Sequence, residues 1–144
     1  TEHGIEFESC LHSYFAVSHI DNVSVAGLKY TNYIDQLDGN AEKFEKDDAI
    51  RFDAELDRIY TDSLADTQII DEGLDRRILI EKRGSASTVV WNPWIAKAAR
   101  LPDLGDREYE KFVCVESGNI GPNKLSLRPG ETATLNVTLG TVPL

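Results

Sequence analysis

The chain has 144 residues, 41% hydrophobic and 28% charged, a balance that fits one globular domain and excludes a disordered or fibrous chain. Its 25 acidic residues against 15 basic ones give a formal net charge of -10, which sets nucleic acid and anionic membrane aside as partners because both would repel it at long range. No apolar run approaches the roughly 20 residues that span a bilayer, and no charged-then-apolar opening marks a secretion signal, so the sequence reads as a soluble, cytoplasmic protein.

Strand signals begin almost at once. Ile5 and Phe7 alternate with glutamates, and because the chain has no Met at all, this abrupt opening predicts a cut made inside a domain. In Cys10-Leu11-His12-Ser13-Tyr14-Phe15 a strand sends Cys10, His12 and Tyr14 to one face and Leu11, Ser13 and Phe15 to the other. The run from Asp35 to Glu42 has the look of a calcium loop, but its ligand spacing departs from the EF-hand pattern; Asp38-Gly39-Asn40 suits a tight, solvated reversal. Asp57 stands at the start of another strand-like run, through Arg58 and Ile59 to Tyr60. Turn signals recur at Asp71-Glu72-Gly73, Arg83-Gly84-Ser85, Gly121-Pro122-Asn123 and Pro129-Gly130, so most elements must be short. Pro93 to Leu101 breaks the pattern: a Pro suited to a first helical turn and an Ala-rich body predict a short helix stopped near Pro102. Alternation resumes in Lys111 to Glu116, where Val113 and Val115 face one way and Phe112, Cys114 and Glu116 the other. It continues at Leu125 and Leu127, then at Leu135, Val137 and Leu139. Short strands with frequent turns predict an all-β, antiparallel sandwich or barrel carrying one short helix.

The polar residues on these strands have two readings. His12 shares a face with polar-tipped neighbours, and Glu116 ends a face, but a lone His is commonly a hydrogen-bonded surface or core group, and Asp57 or Glu116 could simply solvate a strand end. Arg58 could pair with acidic groups nearby or be a plain surface charge. Trp91 and Trp94 could offer an aromatic surface to a sugar ring or fill the core. Cys10 and Cys114 lack metal-type spacing and are expected to be free thiols that pack as small hydrophobes.

The strings Leu11-His12-Ser13-Tyr14-Phe15, Asp57-Arg58-Ile59-Tyr60, Val90-Trp91-Asn92-Pro93-Trp94 and Phe112-Val113-Cys114-Val115-Glu116 resemble, in that order, motifs of the hexose-6-phosphate mutarotases (glucose-6-phosphate 1-epimerases) of the aldose 1-epimerase superfamily. The resemblance runs from about Ile5 through the Pro129-Gly130-Glu131 turn into the last strand. It implies the C-terminal half of a galactose mutarotase-like β-sandwich, residues 1–144 forming a single incomplete domain that lacks its N-terminal half. Such a half-sandwich would expose strand edges, and is expected to associate with the missing half or with itself.

What the resemblance implies for chemistry is an acid–base pair. Glu116 would take a proton from the anomeric hydroxyl while His12 gives one to the ring oxygen, so that the sugar ring opens and recloses on the other face. Asp57 would orient the substrate, with Trp91 and Asn92 as further substrate contacts. No metal and no redox cofactor is required. Separate strands are expected to deliver the imidazole and the carboxylate to opposite sides of one sugar-sized hollow. The substrate is expected to be a hexose phosphate or a free hexose, with the phosphate-binding cations implied to come largely from the N-terminal half. The alternative reading is a non-catalytic carbohydrate-binding or regulatory sandwich of the same fold.

Overall fold

Turn chemistry sets the grain of the architecture. The computed structural model describes residues 2–144, in which the strands are β1 (Ile5–Phe7), β2 (Ser9–Leu11), β3 (Tyr14–Ala16), β4 (Val23–Ala26), β5 (Asn32–Asp35), β6 (Ala41–Phe44), β7 (Ala49–Arg51), β8 (Leu56–Tyr60), β9 (Thr67–Asp71), β10 (Arg76–Arg83), β11 (Ser87–Asn92), β12 (Phe112–Asn119), β13 (Leu125–Leu127) and β14 (Asn136–Pro143). The helix α1 spans Trp94–Ala98, shorter than the stretch to Leu101 that the sequence predicts. In the loop between β5 and β6 the chain reverses at Gly39 and Asn40, both at positive φ (59° and 61°), inside a turn closed by the Ala41 N–H on the Asp38 carbonyl at 3.0 Å, the pair of left-handed residues that a primed turn demands. Lys43 reaches Asp35 at 2.7 Å and Asp38 at 2.8 Å there, so these carboxylates are neutralised by a side chain of their own hairpin.

All recorded pairings are antiparallel. A seven-stranded sheet runs β2-β12-β11-β8-β5-β6, with β3 also on β12, and a five-stranded sheet runs β14-β10-β9-β4-β7. β1 and β13 form a separate pair. The core lies between the two larger sheets: Val23, Val25, Ile69 and Ile80 from one meet Tyr60, Val90, Val113 and Val115 from the other. Each of these side chains is at most 1% exposed, and burying one stabilises the fold by roughly 1.5–3 kcal/mol. β12 is buried along its whole length, because the core covers one face and a polar and aromatic layer covers the other. Together these features are the antiparallel β-sandwich with one helix that the sequence implies.

Strand β10 sends Ile78, Ile80 and Lys82 inward at a period of two. Lys82 thus carries an ammonium into the space between the sheets, where it donates to the Ser63 carbonyl (2.8 Å), the Ser87 carbonyl (3.0 Å) and the Thr88 hydroxyl (2.7 Å). None of these acceptors is charged, so burial dominates and lowers its pKa from 10.5 to about 8. The unfolded chain keeps that proton to higher pH than the folded one. The site's contribution to stability is therefore fully present above about pH 10.5 and is lost as pH falls through about 8. Urea denaturation of the wild type and Lys82→Met across this window should show the wild type gaining on the variant as pH rises; a constant gap would contradict the assignment.

Candidate active site

Register builds the site. β2 pairs Leu11 with Ser117 and β3 pairs Tyr14 with Cys114, both on β12. The two segments keep one register, so the intervening His12 falls directly across from Glu116. β12 in turn sets Glu116 opposite Val89 and Cys114 opposite Trp91 of β11, and β11 sets Val89 opposite Ile59 and Trp91 opposite Asp57 of β8. Directly opposed residues share a face, which yields two adjacent rows across the large sheet: His12, Glu116, Val89 and Ile59, then Tyr14, Cys114, Trp91 and Asp57. Their neighbours Val90, Val113 and Val115 point the other way, into the core, so these rows must face outward. They floor a hollow of about 360 Å³ whose polar lining is His12, Gln36, Asp57, Lys97 and Glu116, with Trp91 as an aromatic wall. That volume lies within the range of about 300–1,000 Å³ typical of small-molecule sites.

The electrostatics follow from burial. His12 Nδ1 lies 3.1 Å from Glu116 Oε1, the His12 side chain 51% exposed and that of Glu116 only 7%. Burial raises the Glu116 carboxyl above its ordinary range, opposed by a hydrogen bond from Cys10 and by the charge of His12. Asp57 is likewise raised by burial, against a 2.6 Å hydrogen bond from Gln36 and the nearby charge of Lys97. Lys97 Nζ is 3.4 Å from Glu55, 3.6 Å from Asp57 and 5.6 Å from the centre of the Trp91 ring. The imidazole stacks on Tyr14 at 4.7 Å and meets Trp91 edge-on at 5.8 Å, contacts that hold its ring plane.

His12, Cys114 and Glu116 bring an N, an S and an O ligand atom within 4.8 Å of one another, the cluster among the described residues best placed to hold a metal ion. Burial pushes the Cys114 thiol well above its ordinary range, so a metal bound there would have to displace its proton.

His12, Glu116, Asp57 and Trp91 thus come together, in one respect differently from expectation. His12 and Glu116 touch on one wall of the hollow rather than flanking it, because they are a directly opposed cross-strand pair. Asn92 is not brought to the hollow. Its side chain is fully buried, donating to the Tyr109 and Phe112 carbonyls at 2.9 Å each and accepting from the Trp94 N–H at 2.9 Å. That last bond holds Trp94 at φ 53°, an uncommon backbone for a bulky residue, and so anchors the start of α1. Asn92 therefore shapes the loop that carries Lys97. Arg58 lies on the core side of its strand, bonded to Glu45 at 2.9 Å and placed over the Tyr33 ring. Sequence reasoning missed Gln36 and Lys97. Gln36 continues the period of two from Ile34, a faint signal, whereas nothing local marks Lys97 as turned toward Asp57.

The family model for aldose 1-epimerase matches residues 5–140. A protein of Cenchrus ciliaris, provisionally named glucose-6-phosphate 1-epimerase, is 37% identical over 132 residues, which are 92% of this chain and 40% of the relative. One from Escherichia coli K12, under the same provisional name, is 38% identical over 117 residues, 80% of this chain and 39% of the relative. The crystal structure of a provisionally named mutarotase from Salmonella typhimurium superposes with a TM-score of 0.90 at 30% identity, covering 99% of this chain and 48% of that one. The chain thus spans about half or less of the length of these proteins.

Lys97 holds the Asp57 carboxyl down against burial. Replacing it by Met should move the titration of Asp57 to higher pH, as followed by carbon NMR of its carboxyl group. No movement would mean that the ammonium does not act on Asp57.

Proposed function

This chain belongs to the aldose 1-epimerase family, and from that premise we propose that its hollow interconverts the α and β anomers of a hexose 6-phosphate. The ionised Glu116 takes the proton of the anomeric hydroxyl. His12, protonated, gives a proton to the ring oxygen; the bond between that oxygen and the anomeric carbon breaks, and an open-chain aldehyde results. Rotation about the next carbon–carbon bond presents the other face of the carbonyl. Closure then runs the transfers in reverse, so atoms and protons balance and no electrons are exchanged.

The observation that carries this reading is the 3.1 Å pair of His12 and Glu116 set in the wall of a hollow with an aromatic side and a carboxylate across from it. A buried carboxylate with a raised pKa is a stronger base than an exposed one, which matches it better to proton transfer near neutral pH. Trp91 can stack against the apolar face of a pyranose, and Asp57 can accept from a sugar hydroxyl. Mutarotation is redox-neutral, so its chemistry calls for no redox cofactor.

The phosphorylated substrate rests on the names of the relatives. Lys97 is the cation of the lining, and Glu55 and Asp57 already neutralise it, so we assign phosphate recognition to segments that the relatives possess beyond the length matched here.

Exchange NMR or polarimetry on the full-length protein with glucose 6-phosphate tests the proposal. Each positioned proton transfer contributes about a hundredfold to ten-thousandfold, and Glu116→Gln should lose a factor in that range. Undiminished anomer exchange in the variant would end the assignment of Glu116 as base. Sugar binding by the wild type without turnover would favour a carbohydrate-binding module.

A further inference from the structure

Glu116 has a second oxygen, and the fold provides it with its own donor. The Cys10 thiol donates to Oε2 across 3.3 Å, while His12 faces Oε1. Cys10 stands directly across from Gly118 on β12. A methyl group on Gly118 would lie 2.9 Å from Cys10 Sγ, 3.0 Å from Cys10 Cα and 2.6 Å from the Ser9 carbonyl oxygen. The contacts with Sγ and with the Ser9 oxygen are shorter than side-chain carbons tolerate, so glycine at 118 is what allows β2 to close on β12 and leaves the thiol its slot beside the carboxylate. Burial first, then the hydrogen bond and charge of Glu116, raise the Cys10 thiol to about 12. It therefore remains an S–H across neutral pH and is a poor nucleophile.

We propose that Cys10 is a positioning residue for the base, its S–H fixing the Glu116 carboxylate so that Oε1 faces His12 and the hollow, and favouring the ionised form that accepts the substrate proton. This rests on the reading of Glu116 as base. A buried carboxylate is costly unless donors satisfy it, and every donor to the charged form favours that form. A thiol is a weak donor, so it lowers the cost of ionisation without the tight hold that an ammonium or guanidinium would impose. It also adds no charge beside His12.

The test compares Cys10→Ala and Cys10→Ser in the full-length protein. With Ala, the acid limb of the kcat/KM profile should move to higher pH, and below that limb kcat/KM should fall about threefold to tenfold, the scale of one modest hydrogen bond. Ser, whose hydroxyl donates, should restore both. Carbon NMR titration of the Glu116 carboxyl gives a readout that needs no activity: it should move upward in Cys10→Ala and return in Cys10→Ser. A folded Cys10→Ala protein whose Glu116 titrates unchanged overturns the inference. If Glu116→Gln keeps full activity while that titration still moves, the base assignment fails and the thiol's hold on the carboxylate stands.

Discussion

The pairing of β12 with the two segments β2 and β3 on one side and with β11 on the other is the constraint on which the site depends. Side chains alternate strictly along a strand, so a slip of one residue in either pairing would turn Glu116 or His12 to the opposite face of the sheet. Val113 and Val115 are held by the apolar space between the sheets, and that hold fixes Cys114 and Glu116 on the opposite face. The chemistry of the outer face is thus specified by the packing of the inner one.

The same register explains the electrostatics. Glu116 shares its row with Val89 and Ile59, which offer it no hydrogen bond, so its two oxygens rely on His12 and Cys10. The next row contributes aromatic groups, with Tyr14 and Trp91 both in contact with the imidazole. The Glu116 carboxylate, only 7% exposed, is screened less than one in open water and is correspondingly sensitive to each neighbouring donor. Ion pairs exposed on both sides, such as Arg83 with Asp66, contribute little to stability.

Polar groups also organise the scaffold away from the hollow. Asn92 satisfies two carbonyls and one N–H from inside the protein, and so secures the turn from β11 into α1 at a point where the backbone is strained. A five-residue helix cannot hold itself, and α1 therefore depends on that anchor and on the packing of Trp94 against Tyr109. Lys97 reaches Asp57 and Trp91 because of this local support.

Alternation and turn residues were legible in the sequence, since the period of two and the demands of glycine, proline and asparagine are local properties. They sufficed for an antiparallel sandwich or barrel with one short helix and for the shared face of Cys10, His12 and Tyr14. The motifs carried His12, Asp57, Trp91 and Glu116 by resemblance to a family. Which strands lie side by side, and in what register, is decided by contacts between distant segments, and no local pattern encodes it. Tertiary structure alone therefore set His12 against Glu116 on a single wall, buried the Asn92 that the sequence placed at the substrate, turned Gln36 and Lys97 toward the hollow, and brought the Cys10 thiol to the second oxygen of Glu116.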